Sequence, residues 1–199
     1  MDNQMVKESR EMTESVRERL ISSAVELLQR RGVAGTSIAD LLERSGVARR
    51  SIYLQFPGGK NELITASVAE AGDRISSYIE NLVLAQSPSE ALASFIDFWK
   101  QLLTSSEFNA GCPIAAAAYG GMEAPTARER AEQVFQQWQE LLTPSLVAHG
   151  VDESDGAELA TTTIATIEGA VMLCLATRST APLDRVHAQL NRLLQSYIG

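Results

Sequence analysis

Apolar residues recur along nearly the whole chain at intervals of three and four, the spacing of one face of an α-helix. The first such stripe is Val16, Leu20, Ala24, Leu27 and Leu28. Ser15-x-x-Glu18 stands at its start as a capping box, in which hydroxyl and carboxylate each satisfy a backbone N–H that the first turn leaves without a partner. Arg30 and Arg31 suit the negative end of this helix, and Gly32 supplies the stop. A second box, Ser37-x-x-Asp40, opens a short helix with Ile38, Leu41 and Leu42 on one side, broken at Ser45-Gly46. Another short helix follows over 48–55 and ends at Phe56-Pro57-Gly58-Gly59. Two short helices joined by a tight glycine-containing turn, behind a longer supporting helix, predict a helix-turn-helix.

The helical pattern continues from Lys60 through Leu63, Ile64, Val68, Ala71, Ile75, Ile79 and Leu82. Ser87-Pro88-Ser89-Glu90 starts the next helix, carrying Leu92, Phe95, Ile96, Trp99, Leu102 and Leu103. Asn109 to Pro113 reads as a turn, 114–119 as a small-residue helix, and Gly120-Gly121 as a break. A helix from about Pro125 must kink or end at Pro144, which lacks the N–H that helical pairing needs. Helices over about 155–178 and 182–198 complete the chain. No stretch alternates with the period of two expected of a strand. The expected fold is all-α, with about nine helices in three parts: a flexible tail over 1–14, a helix-turn-helix unit over 15–60 with its motif at about 37–56, and a helical effector-binding and dimerisation unit over 61–199.

Composition narrows the class. The 199 residues are 45% hydrophobic and 21% charged, which excludes a wholly disordered chain. The longest apolar run, Ala170 to Ala176, falls far short of the ~20 residues that span a bilayer. The polar N-terminus lacks the core of a secretory signal, so no membrane partner and a cytoplasmic location are expected. Charge is divided unequally: residues 1–60 hold ten basic and eight acidic side chains, whereas 61–199 hold seven and seventeen. Phosphates would be repelled by the acidic body but can meet the mildly basic head. Enzyme chemistry finds little purchase. His149 and His187 are the only histidines, and there is no HExxH, nucleophile elbow or glycine-rich phosphate loop, so no catalytic residue, metal or cofactor is expected.

In the head, Ile38, Leu41, Leu42, Val47, Ile52 and Phe56 would bind the helices together, leaving Arg49, Arg50, Ser51, Tyr53 and Gln55 on the other side. That remainder suits the major groove: Arg donates twice to guanine, Gln pairs with adenine, and hydroxyls reach phosphates or base edges. Lys60 opens the next helix, where a cation and free N–H groups can hold a phosphate. Arg49, Arg50, Ser51 and Gln55 are therefore expected to contact bases, and Thr36, Ser37, Tyr53 and Lys60 to grip phosphates.

The segment from about Ser15 to Leu63 resembles the DNA-binding domain of the TetR family of bacterial transcriptional regulators. The likeness rests on Ala24, Leu27-Leu28, Gly32, Thr36-Ser37-Ile38, Gly46-Val47, Ser51-Ile52-Tyr53, Phe56 and Lys60-x-Glu62-Leu63. The spacing of Phe56 to Lys60 and the later Gly111-Cys112-Pro113 resemble the subgroup of lincomycin-resistance-type regulators. The resemblance implies a homodimeric repressor whose C-terminal helices hold a small-molecule cavity, and whose palindromic double-stranded operator is released on ligand binding. Three positions depart from it. Ala48, among the positions expected to meet DNA, stands where a Ser or Thr cap and phosphate contact is common, a cap loss worth ~1 kcal/mol; Arg50 replaces a residue that is often small, and Gln55 one that is often aromatic or His.

Two stripes near the C-terminus are candidates for the dimer interface: Leu159, Thr163, Ile167, Ala170, Val171 and Cys174, and Val186, Leu190 and Leu193. Phe95, Phe98, Trp99, Leu102, Cys112, Tyr119, Met122, Phe135, Trp138 and Met172 are candidates to line a pocket for a small hydrophobic or aromatic effector. Each buried indole N–H would need a partner. Cys112 has no neighbouring Lys, Arg or His in sequence to activate it, and reads as an inert small side chain. A helical ligand carrier without DNA binding is the alternative reading of the whole chain.

Overall fold

The computed structural model describes residues 15–120 and 122–198; the tail expected over 1–14 and Gly121 of the expected break lie outside them. Among the described residues the chain forms nine helices and no strand: α1 (Val16–Arg31), α2 (Ile38–Ser45), α3 (Arg49–Gln55), α4 (Lys60–Ala85), α5 (Pro88–Ser105), α6 (Pro113–Tyr119), α7 (Pro125–Ala148), α8 (Glu153–Thr177) and α9 (Ala181–Ile198). The caps form where the sequence places them. The Ser15 N–H donates to Glu18 Oε2 at 2.7 Å while the Glu18 N–H donates to Ser15 Oγ at 3.2 Å. The Asp40 N–H donates to Ser37 Oγ at 3.1 Å. The Ser87 N–H and hydroxyl both reach the Glu90 carboxylate. Gly46 ends α2 in the left-handed conformation, φ 65°, which a side chain there would strain.

Helices α1–α3 close on a core of Leu20, Ile21, Ala24, Leu27, Leu41, Ile52 and Phe56, completed by Leu63 from the first turn of α4. From the very next residue α4 enters the larger core of the body, through Ile64, Val68, Ala71 and Ile79. With 26 residues it is on the order of 40 Å long, a single rod with one end in each core. In the body α7 lies against both α4 and α8, α9 against α8 and α5, and α6 is wedged between α1, α4 and α7.

One alternative falls away and one expectation changes. Helix α7 does not end at Pro144. The Glu140 carbonyl that loses its partner there belongs to an exposed residue, as Pro144 itself does, so water can take the place of the missing N–H. Helix α8, although interrupted by polar positions, is long and apolar enough by length and composition to cross a membrane, yet only a third of its most apolar stretch is buried in the protomer.

The contact between α4 and α7 depends on a missing side chain. A Cβ on Gly72 would collide with both γ-methyl groups of fully buried Val134. Gly72→Ala is therefore expected to overpack this contact and destabilise the fold by about 1–3 kcal/mol, despite the better helix propensity of Ala. A thermal melt of the variant at or above the wild-type midpoint would refute that reading.

Candidate nucleic-acid interface and effector cavity

Helix α3 is held by one side and offers the other. Ile52 is fully buried and Phe56 nearly so, and the Arg17 guanidinium sits 5.1 Å from the Phe56 ring centroid. Opposite them Arg49, Arg50, Tyr53, Leu54 and Gln55 are exposed, with Ser51 half-buried. Ala48 is the N-cap and provides no side-chain bond, as its chemistry requires. The Tyr53 ring lies over Gly59, where a Cβ would come within 3.3 Å of Cε1. Lys60, half-buried, is the first residue of α4.

The head's arginines divide by partner. Arg31 pairs with Asp40 at 2.7 Å and Arg44 pairs with Glu26, both ion pairs tying α2 to α1. The Asp40 carboxyl is held below its ordinary range, first by the Ser37 hydroxyl and more weakly by Arg31. Arg49, Arg50 and Lys60 enter no ion pair among the described residues. The cations beside the turn therefore remain free, while Arg31 and Arg44 behind it brace the scaffold.

Thr36 is a correction. It is fully buried, and its hydroxyl donates to the Gly32 carbonyl at 2.8 Å, closing the end of α1 instead of facing solvent. Ser37 is exposed, although its hydroxyl serves the Asp40 cap. Leu54, 65% exposed, was not among the expected surface residues. The signal was present: Ile52 and Phe56, four apart, fix the inward side of a helix and put residue 54 opposite.

In the body, a cavity of about 70 Å³ lies between α4, α5, α7, α8 and α9. Its walls are almost wholly apolar, including Ile79, Leu92, Phe95, Trp138, Leu146 and Ile167; Ser145, Thr163 and Glu168 are its polar members. Of the expected lining, Phe95 and Trp138 are there. Phe98, Trp99, Leu102, Cys112 and Phe135 belong to the core around it. Tyr119, Met122 and Met172 are 75%, 99% and 50% exposed and line no interior space. Helix α6 buries Pro113, Ile114 and Ala117, which turns Tyr119 outward. The Trp138 N–H reaches Ser76 Oγ at 3.1 Å, whereas the buried Trp99 N–H has no partner among the described residues.

The expected dimer stripe on α8 is also redirected. Leu159, Ile167, Ala170, Val171 and Cys174 are buried inside the protomer, as is Leu190 of α9; Thr163 lines the cavity, and Val186 and Leu193 pack partly buried against the core. The open side of α8 carries Ala165, Met172, Leu173 and Ala176, with half-buried Gly169 facing empty space.

Glu168 is half-buried on the cavity wall, and burial raises its carboxyl pKa to about 7, against the small opposing effect of a hydrogen bond from Cys112. Burial also pushes the Cys112 thiol well up, with the nearby Glu168 charge adding to the effect, so the thiol is held in its neutral, unreactive form. Cys112 caps α6, and the neighbouring Gly111 N–H donates to the Gln29 carbonyl of α1 at 2.9 Å. A second connection thus joins body to head, alongside α4.

Comparison with known proteins agrees with this architecture. Residues 20–66 match the family described as bacterial regulatory proteins, tetR family, and residues 88–189 match the transcriptional regulator LmrA/YxaF-like C-terminal domain. The chain is 39% identical over 184 residues to the uncharacterized HTH-type transcriptional regulator Rv0196 of Mycobacterium tuberculosis, covering 89% of this chain and 93% of that one. It is 28% identical over 181 residues to the HTH-type transcriptional regulator LmrA of Bacillus subtilis, covering 90% and 96%. A TetR transcriptional regulator from Legionella pneumophila shares the fold with a TM-score of 0.83 at 23% identity, covering 90% of this chain and 97% of that one. A helix-turn-helix head on an all-helical body is the build of a DNA-binding regulator of transcription. The chain belongs to the TetR family of bacterial transcriptional regulators and has the LmrA/YxaF-like C-terminal domain.

Proposed function

We propose that this regulator is a homodimeric repressor that reads a palindromic operator with α3 and releases it when a small apolar effector enters the cavity among α4, α5 and α7–α9. In this reading residues 15–60 form the DNA-reading unit and 61–199 the effector-binding and dimerising unit. The observation that carries it is the division of the head's cations: Arg49 and Arg50 stand exposed and unpaired on the helix that Ile52 and Phe56 lock in place. Arg49, Arg50, Ser51 and Gln55 contact bases, with Leu54 available to a thymine methyl; Ser37, Tyr53 and Lys60 hold phosphates.

Two such heads must enter successive major grooves about 34–36 Å apart, or a multiple of that distance. The outward side of α8 (Ala165, Gly169, Met172, Leu173 and Ala176) supplies the surface at which two copies meet. Effector binding acts on head spacing along α4 and through the Gly111–Gln29 contact, and it can do so only as far as the effector prefers one spacing over the other.

Selection of bound sites from a random duplex library tests the whole scheme, with an inverted repeat as the expected product. On the selected site, Arg49→Ala or Arg50→Ala should cost about 1–3 kcal/mol and relax one base position, whereas Lys60→Ala should weaken every sequence alike and reduce the salt slope by about one. Equal loss on all sequences for both arginines would defeat the base-reading assignment. Failure to enrich any duplex at low salt would defeat the DNA-binding role itself.

A further inference from the structure

The cavity combines an apolar interior with one ionisable side chain. Ile79 of α4, Phe95 of α5, Trp138 of α7 and Leu194 of α9 surround the space, and Glu168 of α8 is the titratable residue among those that line it. Ser145 and Thr163 offer hydroxyls but no charge. Behind Glu168 the facing titratable group is the Cys112 thiol, a weak donor, and no ion pair engages Glu168 among the described residues. An acid without a base in an apolar enclosure discriminates by charge. A hydrocarbon would leave the carboxylate without a strong partner, and an anion would be repelled. A protonated nitrogen would form a charge-assisted hydrogen bond while its apolar body covered the walls, and the rings of Phe95 and Trp138 favour a cation further.

We propose that the cavity selects an apolar amine, whose protonated nitrogen pairs with the Glu168 carboxylate while its ring or chain lies among Ile79, Phe95, Trp138 and Ile167. The inference rests on the reading of this cavity as the effector site and specifies the chemistry that the site accepts. Because Glu168 is near half-protonation at pH 7 in the empty cavity, binding of the amine displaces a proton, and its affinity grows as the carboxyl ionises.

Three probes of matched shape, small enough for a cavity of about 70 Å³, test it by calorimetry on the full-length protein: propylamine, 1-propanol and propionate. At pH 8 the amine should bind at least about tenfold more tightly than the alcohol, and the carboxylate should bind weakest. Between pH 8 and pH 6 the amine should weaken by about tenfold while the alcohol holds constant, as follows from a carboxyl that titrates at about 7. Glu168→Gln should bring amine and alcohol within about twofold of each other, with the alcohol still bound. The wild-type ratio and its pH dependence need no variant, so they decide the matter even if the substitution proves harmful. Equal binding of alcohol and amine by the wild type, or an amine preference that survives Glu168→Gln, would overturn the amine assignment and leave the effector cavity standing. Binding of none of the three would remove the cavity as an effector site, and the amine assignment with it.

Discussion

Leu173→Glu should turn the proposed dimer into a monomer and cost operator affinity about a hundredfold or more. Leu173 is 57% exposed in the protomer, on the open side of α8 beside Met172 and Ala176, so the change is tolerated by the isolated fold. Across a two-fold axis it has the opposite effect, because each carboxylate enters an apolar contact and faces its own copy. Loss of the second head removes the effective concentration that linkage provides, which is commonly worth two to four orders of magnitude. Binding to a single half-site should be unaltered, because α3 lies in the other core. Light scattering gives the oligomeric state, and fluorescence anisotropy on full and half operators gives the affinities. A variant that remains dimeric at micromolar concentration and still binds the full operator tightly would move the interface elsewhere.

The head was legible because its determinants are local. Ser15 with Glu18 and Ser37 with Asp40 lie three residues apart, Gly46 marks its turn alone, and Ile52 with Phe56 sets the buried side of α3 in a single turn. Thr36 escaped because a hydroxyl beside a cap looks the same whether it faces water or reaches back to Gly32. The body was legible in its helices but not in their orientation. Helix α8 has apolar or small residues on both sides, Leu159, Ile167 and Cys174 on one and Ala165, Leu173 and Ala176 on the other, so periodicity could not decide which side meets the protomer. Aromatic content does not mark the cavity for a similar reason: most of those rings pack on one another, as Phe95, Phe98 and Trp99 do with centroids 5.6–6.4 Å apart. The distinctive residue of the cavity is a glutamate, which in sequence is indistinguishable from a solvated one.

That glutamate also links stability to pH. The carboxyl titrates at about 7 in the folded chain against an ordinary 4.5, so between these values the folded state holds a proton that the unfolded state has released. The stabilisation is complete below pH 4.5, declines as pH rises through 7, and is absent above that, where the folded chain must keep a desolvated carboxylate. Cys112, the titratable neighbour, is pushed well up by burial and stays neutral throughout, while α4, α5, α7 and α9 present only apolar, aromatic or hydroxyl side chains to the cavity that Glu168 lines. Glu168→Gln preserves the shape and removes the ionisation. Without ligand, the variant should gain on the order of 2–3 kcal/mol relative to wild type between pH 5 and pH 8, a difference in melting temperature of roughly 5–10 °C for a fold of this size. Melts of both proteins at equal concentration in that interval provide the check, and parallel pH profiles would mean that Glu168 is ionised and well solvated at neutral pH. An amine effector should narrow the gap at pH 8, stabilising the wild type by about 1.4 kcal/mol more than the Gln variant for a tenfold difference in affinity, since only the wild type has a buried charge for the ligand to neutralise.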